Sequence, residues 1–240
     1  MTDLNPVLDW HPPSDARLQA NKPYRLFAQV GVPDVKDLNL EITPRSRNWT
    51  RKLWLDQGRE GACTGFGAAH CLGIGMKSWQ LLDSDAQQFY KWAQYEDRWV
   101  GENYVGSSVQ GAMAGLKKYN IINGYWWIET PEEFKAALSR YGAIEIGSTW
   151  KSGMWKPDSD NMIHNTGSIE GGHAYCVGAM DLVRNRARID NSWGKNRWGV
   201  AGSAWIDLDE LFSLIFDEAG ECALPRKKVY TGSLLTPPRP

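Results

Sequence analysis

From Ala62 to Gly73 the chain runs through small and apolar residues without a charge, reading ACTGFGAAHCLG. No polar face interrupts it, so the stretch predicts a helix buried on all sides, opened by a glycine-punctuated turn. Further on, the aromatics at 89, 92, 95 and 99 in DAQQFYKWAQYEDRW (Asp85 to Trp99) recur at helical spacing and predict a core-facing stripe. Gln110 to Lys118 reads as a helix with small inward residues, and Ser108 stands where an N-cap would. Thr130-Pro131-Glu132-Glu133 is a strong helix start, with a capping hydroxyl, proline at the first position and acids in the first turn. That helix is expected to run to about Tyr141, where Gly142 ends it.

Between and after these helices the pattern changes to short apolar runs. AIEIG (Ala143 to Gly147) and AYCVGAM after His173 predict strands. Glu221 to Leu224 predicts a last strand, and DLDELFSLIF (Asp207 to Phe216) a short amphipathic helix or a strand-turn. Residues 148 to 170 carry no sustained period and read as a surface loop. Residues 1 to 48 are polar and proline-rich, with one short strand expected at Tyr24 to Val30. The expectation for this segment is an extended arm that wraps the body. The tail LTPPRP is expected to be extended as well.

Composition narrows the classes. A formal charge of -1 gives no electrostatic case for nucleic acid or a membrane surface. No apolar run approaches the ~20 residues of a membrane helix, and the N-terminal residues lack the regions of a secretory signal. The expectation is a cytoplasmic or assembly-associated protein. The four cysteines, Cys63, Cys71, Cys176 and Cys222, are scattered, which argues against a disulfide framework. Thirteen tryptophans are many for 240 residues; they read first as core and cleft-wall aromatics, with Trp126-Trp127 and Trp150/Trp155 the candidates for a ligand platform. The histidines and cysteines lack paired zinc spacing, and there is no phosphate loop or dinucleotide fingerprint, so no metal or cofactor is expected.

The candidate chemistry starts at Cys63. At the head of a helix, unpaired N–H groups and the positive end of the dipole favour a thiolate, the reactive form. Six residues upstream Gln57 offers an amide donor for an oxyanion. The stretch alone is equally consistent with a small buried core residue. A nucleophilic cysteine needs a base and an orienting partner, and His173 and Asn191 follow in that order. His70, about two helical turns from Cys63 on the same helix, is too far to serve, and His164 in the irregular stretch reads as solvated.

Taken together, Q-G-x-x-G-x-C at Gln57 to Cys63, G-H-A at Gly172 to Ala174 and NSWGKNRWGVAG at Asn191 to Gly202 resemble the papain family of cysteine peptidases over roughly residues 45 to 224. The resemblance implies an α+β, papain-like two-lobe fold. A helical lobe (about 49–125) and a small antiparallel β-barrel lobe (about 126–225) would flank the cleft, within a domain spanning 49–230. An arm would precede it at 1–48 and a tail follow at 231–240. It implies Cys63 as nucleophile, His173 as base, Asn191 as the residue orienting the imidazole, and Gln57 with the Cys63 N–H as oxyanion donors. Trp193 would cover the His–Asn hydrogen bond. Gly106 and Ser107 would form a cleft wall whose backbone pairs with peptide, and Gly147 and Ala174 would border the main specificity pocket, with room for a bulky apolar side chain. The implied substrate is a peptide or protein.

Departures exist. Glu60 stands where the family has a disulfide cysteine, and Thr64 replaces an aromatic. The Cys63–His173 and Cys63–Asn191 separations, 110 and 128 residues, fall short of roughly 130–150. Trimmed loops and long arms leave two other readings: a structural or binding subunit of a larger assembly with reduced or lost activity, partnered through its arms, or a cell-wall peptide amidase.

Overall fold

The computed structural model describes residues 7–12, 44–74, 80–97 and 105–227. The elements run β1 (Arg47–Asn48), α1 (Cys63–Gly73), α2 (Asp83–Glu96), α3 (Val109–Lys118), β2 (Ile122–Trp127), α4 (Pro131–Arg140), β3 (Ile144–Lys151), β4 (Met162–Ile163), β5 (Ile169–Asp181), β6 (Arg186–Asp190), β7 (Ser203–Asp207), α5 (Leu208–Phe212) and β8 (Glu221–Lys227). The expected strand at Tyr24 to Val30 and the C-terminal tail lie outside the described residues, as does Trp99.

The helices start where their caps predict. Ser108 Oγ accepts from Gly111 N–H at the head of α3, and Thr130 Oγ1 accepts from Glu133 N–H at the head of α4, satisfying donors the helix cannot. α1 is buried along its whole length, which its lack of any charged residue requires. In α2 the aromatic stripe holds for Phe89 and Trp92, but Tyr95 is exposed. Helical spacing identified a face, and the width of that face was set by what packs on it.

The sheet runs in the order β2-β8-β3-β5-β6-β7-β4, with β1 added beside β5. Its ladders are antiparallel except for β4 with β7. Among the described residues no ladder joins the two ends, so the sheet is not closed, and the expected barrel is an open sheet. Alternation along a strand identifies its two faces but says nothing about which strands meet. The stretch expected to be an irregular loop is also partly regular: β3 continues to Lys151, a short helical turn covers Ser152–Met154, and β5 begins at Ile169. The strand was masked by polar residues that turn out to be buried. Ser148 is one, bonded to the Tyr175 hydroxyl at 2.9 Å.

Among the described residues the two large apolar cores lie on opposite sides of the sheet. Helices α1 to α3 pack on one with Phe66, Trp92, Met113, Tyr125 and Trp127. The other gathers Trp126, Phe134, Ile146, Trp150, Tyr175, Ile189 and Trp193. Strand alternation assigns the residues of β5: Tyr175 and Val177 belong to the second core, Ala174 to the first. The site lies where β5 passes the start of α1.

Candidate active site

Cys63 is the first residue of α1, and its side chain is fully buried. Burial pushes its thiol up to about 12, with the nearby backbone N–H groups of Ala174 and Asp9 pulling the other way. A thiol rather than a thiolate therefore occupies this covered form. The loop before it is pinned by His70. The Leu55 N–H donates to His70 Nε2 at 3.2 Å, and desolvation depresses that imidazole well below its ordinary range, keeping the nitrogen free to accept. His70 is thus a structural partner of the Gln57 loop. Gln57 itself is buried; its Nε2 donates to Glu60 O at 3.0 Å.

His173 and Asn191 meet in space. Asn191 Oδ1 lies 2.9 Å from His173 Nε2, and the same oxygen accepts from Ser192 N–H. Asn191 Oδ1 is only an acceptor, so the imidazole Nε2 carries the proton and Nδ1 has its lone pair free. Burial lowers His173 to about 4, the Asn191 bond opposing the shift. The imidazole sits in an aromatic cage. Trp193 stacks on it at 4.9 Å, Trp150 meets it edge-on at 5.0 Å, and Tyr175 lies at 6.0 Å. Trp193 and Trp150 are both buried. Trp150 is core, as are Trp126 and Trp127, so the core-aromatic expectation holds for them.

Three positioning residues escaped the sequence reading. Ser192 Oγ donates to Gln57 Oε1 at 2.6 Å, which joins the Asn191 segment to the Gln57 loop. Arg51 reaches across from before that loop. Its guanidinium donates to Asn191 O at 2.8 Å, Gly202 O at 2.7 Å and Ser203 Oγ at 2.8 Å, fixing the turn that carries Asn191. Asp97 anchors the opposite wall, accepting from Ser107 Oγ and from the Ser108 N–H and hydroxyl. Each acts through backbone or side-chain atoms of residues distant in the chain, which no local motif reveals. His164 pairs with Asp158 and Glu210 on the surface. Among the described residues no group of three His, Cys, Asp or Glu could hold a metal ion.

The cleft is filled by the chain's own residues 7–12. They lie across the site, bridging it at Asp9 with Gly172 and at Trp10 with Ser107. Trp10 N–H donates to Gly172 O at 2.8 Å; Ser107 N–H donates to Asp9 O at 3.1 Å, and His11 N–H to Ser107 O at 3.0 Å. The wall formed by Gly106 and Ser107 thus pairs with an extended segment. Gly106 has φ +108, and any side chain there would overlap the Asp9 carbonyl. Gln57 Nε2 donates to Val7 O at 3.2 Å. The Trp10 indole lies on Gly147, where an added Cβ would collide with it, and its Nε1 donates to Glu221 Oε2 at 2.6 Å.

The fold is papain-like. No protein-family model matches the chain, and no curated protein matches it. Solved structures do. Xylellain, a cysteine protease from Xylella fastidiosa, aligns at TM-score 0.65 and 16% identity, covering 92% of this chain and 96% of its own. Procathepsin L 3 of the Tenebrio molitor larval midgut aligns at 0.58 and 11% identity, covering 91% and 83%. The bromelain protease from Ananas comosus, in complex with the E64 inhibitor, aligns at 0.54 and 18% identity, covering 77% and 100%. No helix among the described residues is long and apolar enough to cross a membrane.

Proposed function

We propose that the protein is a cysteine endopeptidase kept latent by its own residues 7–12. The observation that carries this reading is the extended segment in the cleft, with a peptide carbonyl on Gln57 Nε2 and backbone pairing to Ser107 and Gly172. A groove that holds one extended strand by main-chain bonds is built to hold another.

Once the segment leaves, water returns to the site and the desolvation that separates the two pKa values falls away. The Cys63 proton passes to His173 Nδ1. The thiolate attacks the substrate carbonyl carbon, forming the Sγ–C bond. Gln57 Nε2 and the Cys63 N–H hold the oxyanion. His173 gives its proton to the amide nitrogen as the C–N bond breaks and the amine departs. Water then attacks the thioester, losing its proton to His173, and the acid leaves with the thiol restored. Asn191 keeps the imidazole in the tautomer this sequence needs, and Trp193 shields their bond.

The test is Cys63→Ala in a chain whose segment has been displaced. Hydrolysis of unstructured protein substrate should vanish while thermal unfolding is unchanged. Cleavage at the parent rate by this variant would overturn the assignment.

A further inference from the structure

Behind the reacting cysteine the chain buries an acid that the mechanism does not use. Glu145 on β3 stands opposite Cys176 of β5 and Ala223 of β8, one step behind the row in which Gly147 faces Ala174 and Glu221. Alternate residues of a strand share a face, so the Glu145 side chain enters the core under α1 to α3, where Ala174 and Ala223 lie. It is wholly buried, and neither carboxyl oxygen has a hydrogen-bond partner. Its Oε1 lies against α1 at Gly67, where an added Cβ would stand 3.1 Å away. Gly67 follows Cys63 by four residues, about one helical turn, so the carboxyl sits on the Cys63 side of the helix.

The titratable groups coupled to it are acids as well: Cys63 on α1, Cys176 on β5 and Glu221 on β8. No lysine, arginine or histidine pairs with Glu145 among the described residues. A carboxylate there is a buried charge with neither partner nor water, which costs far more than keeping a proton. Desolvation accordingly holds Glu145 well above its ordinary range, with the charges of Glu221 and Cys176 adding to the shift and the nearby Ala68 N–H opposing it. Glu221 accepts from Val109 N–H at 2.8 Å and from Gln110 N–H at 3.0 Å. Of the two neighbouring carboxyls, Glu221 is therefore equipped to ionise and Glu145 is left to hold a proton.

This proton matters to one half of the catalytic pair. A charge on Glu145 acts on Cys63 in the direction that disfavours the thiolate. His173 is on the other face of β5, among Trp150, Tyr175 and Trp193, where burial and the Asn191 bond set its proton affinity. An ionised Glu145 thus raises the cost of the thiolate with no matching gain for the imidazolium. We infer that Glu145 is a positioning residue for the charge on Cys63: it must hold its proton for the thiolate to form, and its ionisation shuts the reaction on the alkaline side. The inference rests on the peptidase reading. The two titrations are coupled, so a thiolate at Cys63 in turn keeps the proton on Glu145.

The experiment uses the full chain carrying Trp10→Ala, with Glu145 intact or replaced as Glu145→Gln or Glu145→Met. The kcat/KM for one fluorogenic peptide is followed from acid to alkaline pH. The alkaline limb should move to higher pH in both variants. At the alkaline end each should be about tenfold faster than the chain with Glu145, the effect of one unit charge at ~10 Å in a partly screened interior. A side chain that only fills space leaves the limb where it was, so superimposed limbs overturn the inference. Glu145→Met keeps the test open if the unpartnered amide of Glu145→Gln prevents folding, and stoichiometric epoxysuccinyl labelling of Cys63 shows which variants have formed the site. A second readout needs no turnover. The infrared band of the protonated carboxyl that disappears in Glu145→Gln is titrated before and after Cys63 is alkylated with a neutral reagent. It should vanish at lower pH once no thiolate can form. A band that titrates identically in both, or never titrates, overturns the inference. If peptides are cleaved and the limb does not move, this inference fails alone. If Trp10→Ala neither labels at Cys63 nor cleaves any peptide, the peptidase reading fails and takes the inference with it.

Discussion

Truncating Trp10 to alanine should convert a closed site into an open one. The side chain is 6% exposed and donates to a buried carboxyl. A tryptophan buries about 150–250 Å², which at ~25 cal/mol/Å² is roughly 4–6 kcal/mol, and Trp→Ala truncations of well-packed sites cost about 3–5 kcal/mol. That loss falls on docking of the segment, because the indole packs against Gly147 and Gly172 and donates to Glu221, all outside the segment. At 1.4 kcal/mol per factor of ten, 3–5 kcal/mol raises the open fraction by about 10² to 4 × 10³. Cys63 is wholly inaccessible in the docked form, so a bulky thiol reagent reads the open fraction directly. The assay is the second-order rate of Cys63 modification by an epoxysuccinyl inhibitor, followed by intact mass and peptide mapping. A rate about a hundredfold or more above the parent is expected, up to the ceiling set by complete opening. A rate within about threefold of the parent, with unchanged thermal unfolding, would show that residues 7–12 do not gate the thiol.

Other consequences follow from the site. Asn191→Ala strands His173 Nε2 and the Ser192 N–H in a buried cage, and should lower kcat/KM by about 5- to 150-fold, the equivalent of 1–3 kcal/mol for an unsatisfied buried group; peptide hydrolysis in the Trp10→Ala background measures it. Gln57→Ala removes an oxyanion donor and should lower kcat by about 10²–10³ with little change in KM; an effect on KM alone would assign Gln57 to binding. Glu145→Met tests the buried acid under α1. Desolvation raises the Glu145 pKa well above its ordinary value, so the folded chain must hold the proton. The resulting stability is present below the unfolded value near 4.5 and is lost as pH rises toward the folded one. Glu145→Met should therefore raise the thermal midpoint more at pH 8 than at pH 5, and a gain independent of pH would refute the placement of an ionisable group there.

Much was legible in the chain before any coordinates. The absence of charge from Ala62 to Gly73 required a buried helix, because no face could meet water. The Thr130-Pro131 start and the Ser108 cap were local chemistry, so they could be read locally. The resemblance carried by Q-G-x-x-G-x-C, G-H-A and NSWG named Gln57, Cys63, His173 and Asn191 as the residues to inspect, and His173 and Asn191 meet at 2.9 Å. What stayed hidden was contact between segments far apart. The segment around Trp10 looked like one more polar, proline-rich piece of arm, since nothing local distinguishes a strand that covers a cleft from one that wraps a surface. Glu221 looked like a charged residue in a last strand, and its meaning came from Val109, Gln110 and Trp10 converging on it across more than a hundred residues. The open sheet in place of a barrel has the same cause. Periodicity is set by each strand's own side chains, whereas pairing, closure and occupancy are decided by surfaces that exist only once the whole chain has packed.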